Sequence, residues 1–355
     1  MDEVIISFPG IGIDNFTVDK VVFSIGKIEV RWYGLIITIG MMLAFFYAVY
    51  RAKHEKISLD DMLDVGIFTI IFGVIGARLY YVLTTLKDDM YDSFIDVISI
   101  WNGGLAIYGG IIGGGIAVYV VCRVKKLSFF KLADTIVPGV LIGQILGRWG
   151  NFFNGEAYGY EVLEKSPLYF IRMGLIPNMD SSLVMHYYHP TFLYESLWNL
   201  VGFIIINLLY KKKKFDGQVF FMYITWYGFG RMFIEGLRTD SLYVGEFRIS
   251  QVVGFLCFLI GGAAIAYGIT KAHKLQLQGD DSYLGVYDKL LGIREKKAPY
   301  ESKATEQKQN LKEDNESKSE DNIKNDKEFN DYSTLMSDDG DTSKEKKDDD
   351  NDKLS

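Results

Sequence analysis

Cysteine is almost absent from this chain, which has two, Cys122 and Cys257, among 355 residues. Cys122 lies at the end of one apolar run and Cys257 lies inside another, so we expect neither a disulfide nor an extracellular thiol nucleophile. The sequence also lacks a CxxC pair, an HExxH motif and an aspartate-rich calcium loop. A protein-bound metal site is therefore unsupported, and we expect no cofactor.

Charge is scarce over the first three quarters of the chain and dense afterwards. Residues up to about Lys274 form a series of apolar runs, whereas those from about Leu275 are mostly Lys, Asp, Glu, Asn and Ser. This tail has too few apolar side chains to offset the entropy cost of ordering. We predict a membrane domain at residues 1–274 and a disordered, charged cytoplasmic tail at residues 275–355.

Seven apolar stretches approach the roughly 20 residues that a helix needs to cross a membrane. They are residues 32–50, 64–86, 105–124, 133–146, 191–210, 217–234 and 249–270. The fourth is short and contains Pro138, so its length alone also suits a buried or re-entrant helix. The set predicts an all-α integral membrane protein with seven transmembrane helices.

Lysine and arginine predict the orientation, because they are enriched in cytoplasmic loops. Basic clusters follow the first, third, fifth and seventh stretches, in RAKHEK, CRVKKLSFFK, YKKKKFDG and KAHK, whereas the loop after the second is acidic. This alternation requires all seven stretches to cross, including the short fourth. It places the N-terminus outside the cell and the C-terminus in the cytoplasm.

Strong hydrogen-bonding groups cluster on the predicted outer face. The segment GRWGNFFNGEAYG, residues 147–159, resembles a glycine-rich loop with Arg148, two asparagines and a glutamate. Arg231 lies near the end of the sixth stretch and Glu235 and Arg238 follow it. Their spacings of four and three put the three residues on one face if the helix continues. Charges at this depth usually face the interior of a bundle or a water-filled cavity.

These charges allow two interpretations. Each arginine taken alone fits a snorkelling side chain or a structural ion pair, with Glu235 as the partner of Arg231 or Arg238. Taken together, the arginines suit an anion, because a guanidinium donates two parallel hydrogen bonds to a phosphate. A phosphate at this depth belongs to a phospholipid headgroup, and we favour this second interpretation.

Glycines crowd the start of the third stretch, in WNGGLAIYGGIIGGG at residues 101–115. Gly110 and Gly114 are four residues apart, a spacing that lets two helices approach closely. Packing explains the glycines that flank Tyr108 less well, and these favour a cavity: Gly103, Gly104 and Gly109.

The 147–159 segment matches the pattern G-R-x-G-N-F-x-N-x-E-x-x-G. Further motifs follow in order: RWYGL at 31–35, GARLYYV at 76–82, GGLAIYGG at 103–110, HPTFLYE at 189–195 and WYGFGRMFIEGLR at 226–238. With these motifs the chain resembles the bacterial prolipoprotein diacylglyceryl transferases over roughly residues 5–272.

The resemblance implies one reaction in the bacterial cell membrane. A diacylglyceryl group would pass from phosphatidylglycerol to the thiol of the lipobox cysteine in a preprolipoprotein signal peptide, forming a thioether and releasing glycerol phosphate. The active site would lie near the outer leaflet of the lipid bilayer. Phosphatidylglycerol and the preprolipoprotein are the expected partners, and nucleic acid is not.

The resemblance also implies residue roles. Four residues are expected to be catalytic: Tyr108, Arg148, Arg231 and Glu235. The residues expected to bind phosphatidylglycerol are Arg148 again, Tyr33, Asn151, Asn154, Glu156, Gly159, Tyr227 and Arg238.

Tyr108 departs from the family, because many members have a histidine there that is often assigned as the base. A phenol is a weak base at neutral pH. A cysteine thiol ionises at neutral pH at a cost of about 2 kcal/mol, so base catalysis is either dispensable or shared with Glu156 or Glu235. Tyr108 either contacts the headgroup or the thiol, or only packs against Gly109 and Gly110, and we favour the polar role.

Two other function classes fit this sequence less well. A membrane transporter would show paired charges near the middle of the membrane and often an inverted repeat. Another phospholipid-processing enzyme would show a clustered aspartate metal motif, and a membrane protease would show a reactive serine in a glycine turn. None of these patterns is found in the sequence, so the transferase interpretation is preferred.

Truncation after about Gln278 should leave the transferase activity nearly intact. The tail is predicted to lie across the membrane from the site, and it is too polar to pack against the apolar helices. The measurement compares the transfer rates of purified truncated and full-length protein. A truncated protein that keeps its fold but loses its activity would contradict the prediction.

Overall fold

The computed structural model describes residues 3–26, 28–86, 91, 93–176 and 184–278. Residues 279–355 of the predicted tail lie outside the described residues, and residues 275–277 continue the last helix. Within the described ranges the chain is mostly helical, in agreement with the prediction of an all-α membrane protein.

Helices make up most of the described chain. They are α1 (Trp32–His54), α2 (Leu59–Thr85), α3 (Phe94–Ile98), α4 (Ile107–Lys125), α5 (Phe129–Asn154), α6 (Thr191–Tyr210), α7 (Gln218–Ile234) and α8 (Ile249–Leu277). Among the described residues, six helices are long and apolar enough to cross a membrane. Helix α7 has 17 residues and is not one of the six. A seventh crossing and the orientation stay predictions.

Helix α5 corrects the interpretation of the 147–159 segment as a loop. The helix continues for 26 residues to Asn154, well beyond the apolar stretch at 133–146. Gly155 ends it in the left-handed conformation, with φ of 64°, which glycine adopts without steric cost. Arg148 and both asparagines of the segment therefore stand on the last two turns of a helix.

Short strands are also present, although the hydropathy pattern does not predict them. They are β1 (Glu3–Phe8), β2 (Ile13–Asp19), β3 (Val21–Ile25), β4 (Ile28–Arg31), β5 (Met173–Ile176), β6 (His186–Tyr188), β7 (Tyr243–Val244) and β8 (Phe247–Arg248). Four form an antiparallel sheet in the order β2-β1-β5-β6. Side chains of β1 and β5 share a core with Phe152 of α5 and Phe192 of α6. The sheet thus packs on these two helices at the end where Arg148 stands.

At the end of the bundle opposite Arg148, a buried carboxylate holds the start of α7. Asp134 of α5 is fully buried, and its carboxylate accepts hydrogen bonds from the backbone N–H groups of Gly217, at 2.9 Å, and Phe220, at 2.8 Å. Lys213 lies 3.6 Å from the same carboxylate and also pairs with Glu55 at 2.9 Å and Asp216 at 3.2 Å. Because α7 carries Arg231, this connection to α5 also sets the height of that arginine.

Glycines allow α2 and α4 to touch backbone to backbone. A Cβ on Gly109 would overlap the carbonyl oxygen of Gly76, and a Cβ on Gly76 would overlap the carbonyl oxygen of Gly109. A Cβ on Gly113 would likewise overlap the carbonyl oxygen of Phe72, one turn before Gly76 on α2. Gly109 is therefore a packing residue, and its assignment to a cavity is wrong. At Gly110 a Cβ would find only ordinary contacts.

Substitution Gly109→Ala should destabilise the protein by about 1–3 kcal/mol, because the added methyl group forces α2 and α4 apart. Gly115→Ala is the matched control on the same helix, since a Cβ there meets nothing within 4 Å. It should be neutral or slightly stabilising, because alanine is the better helix former. Thermal unfolding of the two variants in the same detergent checks this. Equal midpoints would mean that the close contact does not contribute to stability.

Candidate active site

Four chain segments meet at one end of the bundle, and each brings charge. Arg148 stands near the end of α5, and Glu195 stands on the second turn of α6. Helix α7 ends at Ile234, and a 3-10 turn, Glu235–Leu237, follows it before the chain becomes extended at Arg238. The helix that would align Arg231, Glu235 and Arg238 therefore does not continue, but the three residues still converge.

Glu195 is the centre of this cluster. Its Oε2 lies 2.6 Å from Nη2 of Arg148, and its Oε1 lies 2.9 Å from Nη1 of Arg231 and 3.3 Å from Nη1 of Arg238. The side chain is 6% exposed. One buried carboxylate thus contacts all three arginines that the sequence assigns to the site.

Sequence reasoning missed Glu195, although it ends the HPTFLYE motif. The signal that identifies it is an acidic residue inside the apolar stretch at 191–210. A carboxylate in such a stretch faces a partner inside the bundle, because exposure to lipid would be costly.

Two further carboxylates complete the cluster. Glu235, which is 1% exposed, forms an ion pair with Arg231. Asp240 binds Arg238 through two hydrogen bonds, Nε to Oδ1 at 2.9 Å and Nη2 to Oδ2 at 2.7 Å. Three guanidinium groups therefore face three carboxylates, Glu195 included, and the charges balance.

The bidentate pairing of Arg238 with Asp240 shifts the pKa of both groups. Burial would lower the pKa of Arg238, but the hydrogen bonds to Asp240 and the charges of Asp240 and Glu195 outweigh it and raise that pKa. Burial would raise the pKa of Asp240, but the hydrogen bond and charge of Arg238 lower it below its ordinary value. Both groups are therefore charged at neutral pH.

Amide groups extend the cluster toward the surface. Asn151 and Asn154 each donate a hydrogen bond to Oε1 of Glu156, at 2.9 and 3.2 Å, and Arg148 contacts Oδ1 of Asn151 at 3.5 Å. Glu156 itself is exposed. The structure thus brings together all the polar side chains that the sequence predicts in the 147–159 segment.

Gly159 contributes its backbone. Its N–H donates to the carbonyl oxygen of His189 at 2.9 Å. Its backbone also pairs with that of Arg238 in an isolated antiparallel β-bridge. A Cβ at this position would come within 2.8 Å of the carbonyl oxygen of Leu237. The glycine is needed because the chain after Glu156 and the chain before Arg238 approach too closely for a side chain.

The predicted tyrosines are distributed around the cluster. A Cβ on Gly150 would lie 2.9 Å from the ring of Tyr33, so that ring packs directly on α5. Tyr227 lines a cavity of about 10 Å³ together with Glu195 and Arg231, which is space for about one water molecule. Tyr108 forms a hydrogen bond outside the arginine cluster, because its hydroxyl lies 3.1 Å from Oγ of Ser250 on α8.

Arg78 of α2, the arginine of the GARLYYV motif, is not part of the cluster. Its guanidinium donates to four backbone carbonyls, those of Asp96 at 2.5 Å, Val97 at 2.8 Å, Gly103 at 2.8 Å and Gly104 at 3.0 Å. It therefore organises the segment between α2 and α4. Among the described residues, no group of three or more histidine, cysteine, aspartate and glutamate side chains is placed to hold a metal ion.

Comparison with known proteins gives a consistent match. A family model described as prolipoprotein diacylglyceryl transferase matches residues 20–267. A Clostridium perfringens protein named phosphatidylglycerol–prolipoprotein diacylglyceryl transferase 1 is 44% identical over 262 residues, which cover 72% of this chain and 97% of the relative. Proteins of Clostridium kluyveri and Staphylococcus aureus that bear the same name without the number are 43% and 42% identical, over 253 and 255 residues. Each match covers 70% of this chain, with 96% and 89% of the respective relative.

Substitution Glu195→Gln should destabilise the fold by up to about 3–5 kcal/mol, because it leaves buried guanidinium groups without their shared counter-charge. Glu156→Gln is the matched control. Its carboxylate accepts from two neutral amides at the surface, so the loss there should stay below about 1 kcal/mol. Thermal unfolding in detergent measures both changes, and equal shifts would refute a structural role for the Glu195 cluster.

Proposed function

The chain belongs to the prolipoprotein diacylglyceryl transferase family, and we propose that it transfers a diacylglyceryl group from phosphatidylglycerol to prolipoproteins. The observation that carries the proposal is the cluster of Arg148, Arg231 and Arg238 at the predicted outer end of the bundle. Guanidinium groups bind phosphate in a planar, bidentate manner, and phosphatidylglycerol presents a phosphate at the membrane surface.

The acceptor in the proposed reaction is the thiol of the lipobox cysteine in the signal peptide of a preprolipoprotein. The proposed location is the bacterial cell membrane, with the active site near the outer leaflet. The basic clusters support this orientation, because they lie at or just beyond the C-terminal ends of α1, α4, α6 and α8, away from the arginine cluster. Both substrates then reach the site from the side on which secreted proteins emerge.

Binding of the headgroup requires an exchange of partners. The cavity beside Arg231 and Tyr227 measures about 10 Å³, far less than a phosphate headgroup occupies, and the guanidinium groups already contact carboxylates. In the proposed complex the lipid phosphate takes guanidinium hydrogen bonds from Glu195. Asn151, Asn154 and the backbone at Gly159 then order the glycerol of the headgroup.

The other predicted binding residues form the walls of the proposed lipid site. Tyr33 packs on α5 at Gly150, two residues beyond Arg148, and Tyr227 lines the cavity. Arg238 donates two hydrogen bonds to Asp240. In the proposed complex it therefore stabilises the cluster, while Arg148 and Arg231 contact the phosphate.

The proposed chemistry is a displacement at the glyceryl C3 carbon. The cysteine thiolate attacks C3, a sulfur–carbon bond forms, and the bond between C3 and the phosphate oxygen breaks. Its electron pair remains on the departing glycerol phosphate, where negative charge grows in the transition state. Arg148 and Arg231 stabilise that charge, which is the most effective form of electrostatic catalysis.

The thiol proton needs little assistance, because ionising a cysteine at neutral pH costs about 2 kcal/mol. Of the two carboxylates considered as a base, Glu235 is buried and paired with Arg231. Glu156 is exposed and is therefore the one that a substrate thiol can reach.

The test is incubation of the purified protein with phosphatidylglycerol and a lipobox peptide, followed by mass measurement of the peptide. A diacylglyceryl adduct is expected, and its absence would refute the proposal. Arg148→Lys keeps the charge but loses the planar fork, so it should lose most of the activity while still inserting into membranes. Arg123→Lys, at the end of α4 away from the cluster, is the control and should match wild type.

Tyr108 is proposed to donate to or accept from the headgroup or thiol, in addition to its contact with Ser250. Tyr108→Phe should then lower the rate roughly ten- to a hundredfold, since one hydrogen bond to a charged partner is lost. Tyr108→His should keep much of the activity, and its rate should fall as the pH drops through about 6.5, where imidazole becomes protonated.

Ser250→Ala is the matched control for Tyr108. It removes the same internal hydrogen bond but leaves the phenol in place, so it should be nearly as active as wild type. If Phe at position 108 is as good as Tyr and His is worse, the residue only packs, and the polar role is refuted.

A further inference from the structure

Arg248 is a cation that the proposed reaction does not use, yet it contacts the site. It ends strand β8 and immediately precedes α8. All three of its guanidinium nitrogens donate hydrogen bonds. Nη1 donates to the backbone carbonyl of Glu235, Nε to the hydroxyl of Tyr243 at 2.8 Å, and Nη2 to the hydroxyl of Tyr160 at 2.9 Å.

The carbonyl that Arg248 holds is placed where α7 ends. Helical hydrogen bonds stop there, and the chain makes a single 3-10 turn, Glu235–Leu237. Glu235, which begins this turn, and Arg238, which follows it, belong to the charge cluster. A turn of this length has little stiffness of its own, so its conformation depends on outside contacts.

The other two partners tie the turn to its surroundings. Tyr160 belongs to the segment that follows Glu156, and its backbone N–H donates to the carbonyl oxygen of Leu237 at 2.8 Å. Tyr243 lies in strand β7, which pairs with β8. Arg248 therefore joins the turn, the segment after Glu156 and the β7–β8 hairpin at a single point.

We propose that Arg248 is a positioning residue for the transfer reaction, which holds the Glu235–Leu237 turn so that Glu235 and Arg238 keep their places in the arginine cluster. The inference rests on the proposed function, because it concerns the rate of that reaction. Three acceptors in three directions need the planar fork of an arginine, and a lysine cannot reach them together. Arg248 acts through the turn and does not itself touch the lipid.

The first experiment compares Arg248→Lys with Arg172→Lys in the phosphatidylglycerol and lipobox-peptide assay. Arg172 is the matched control, since its guanidinium also donates to a backbone carbonyl, that of Tyr169 at 2.9 Å. It also packs on the rings of Tyr169 and Tyr187, not on the Glu235 turn. Arg248→Lys should lower kcat roughly ten- to a hundredfold, with the KM for phosphatidylglycerol within about twofold and an unchanged unfolding midpoint. Arg172→Lys should change neither kinetic parameter.

A second variant separates positioning from direct contact with the lipid. The double substitution Tyr160→Phe and Tyr243→Phe keeps the arginine and removes two of its acceptors. Positioning predicts that kcat falls again while KM stays constant. A raised KM in Arg248→Lys, with a fully active double variant, would mean that Arg248 binds the headgroup directly and would overturn the inference.

A measurement independent of turnover completes the test. The backbone N–H of Arg238 donates to the carbonyl oxygen of Glu235 at 3.2 Å, so its hydrogen exchange reports on the turn. Exchange there should be faster in Arg248→Lys than in wild type and Arg172→Lys. If wild type forms no adduct, the proposed function fails. If wild type is active and Arg248→Lys matches it in kcat and exchange, only the positioning role fails.

Discussion

A carboxylate buried among apolar helices must be neutralised, and Glu195 is neutralised by three guanidinium groups at once. An unpaired charge there would cost several kcal/mol, so α5, α6, α7 and the segment after α7 are constrained to meet at this point. The same constraint gathers the arginines. Helix assembly and the gathering of the three arginines are therefore consequences of one buried ion cluster.

The balance of this cluster also bears on the proposed chemistry. Three arginines and three carboxylates form a set with no net charge, so in the proposed complex a lipid phosphate would replace a carboxylate as the partner of a guanidinium group. Such an exchange would add little to the affinity for the ground state, because one anion replaces another and the displaced carboxylate loses a buried partner. In the proposed transition state, negative charge grows on the phosphate oxygen, whereas the charge of the carboxylates stays the same. The arginines can therefore stabilise the transition state more than the ground state.

Much of this molecule can be predicted from its sequence, for physical reasons that differ between regions. Lipid selects long apolar runs, so hydropathy locates the helices, and the cost of charge at the membrane boundary identifies Arg148, Arg231 and Arg238. Glu195 was missed because a single acidic residue does not interrupt an apolar average. The sheet was missed because β1 pairs with β5, from residues 5–7 to 174–176, and no local pattern records so distant a partner. The last turns of α5 were mistaken for a loop because their glycines and asparagines are poor helix formers.

The contact between α2 and α4 has a consequence for the movement of lipids in the plane of the membrane. Where Gly76 and Gly109 touch backbone to backbone, no gap is left that an acyl chain can enter. A phospholipid that diffuses toward the arginines cannot pass between these two helices, and a product carrying two acyl chains cannot leave there. The close contact at these two glycines thus excludes the interface between α2 and α4 as a route for a lipid.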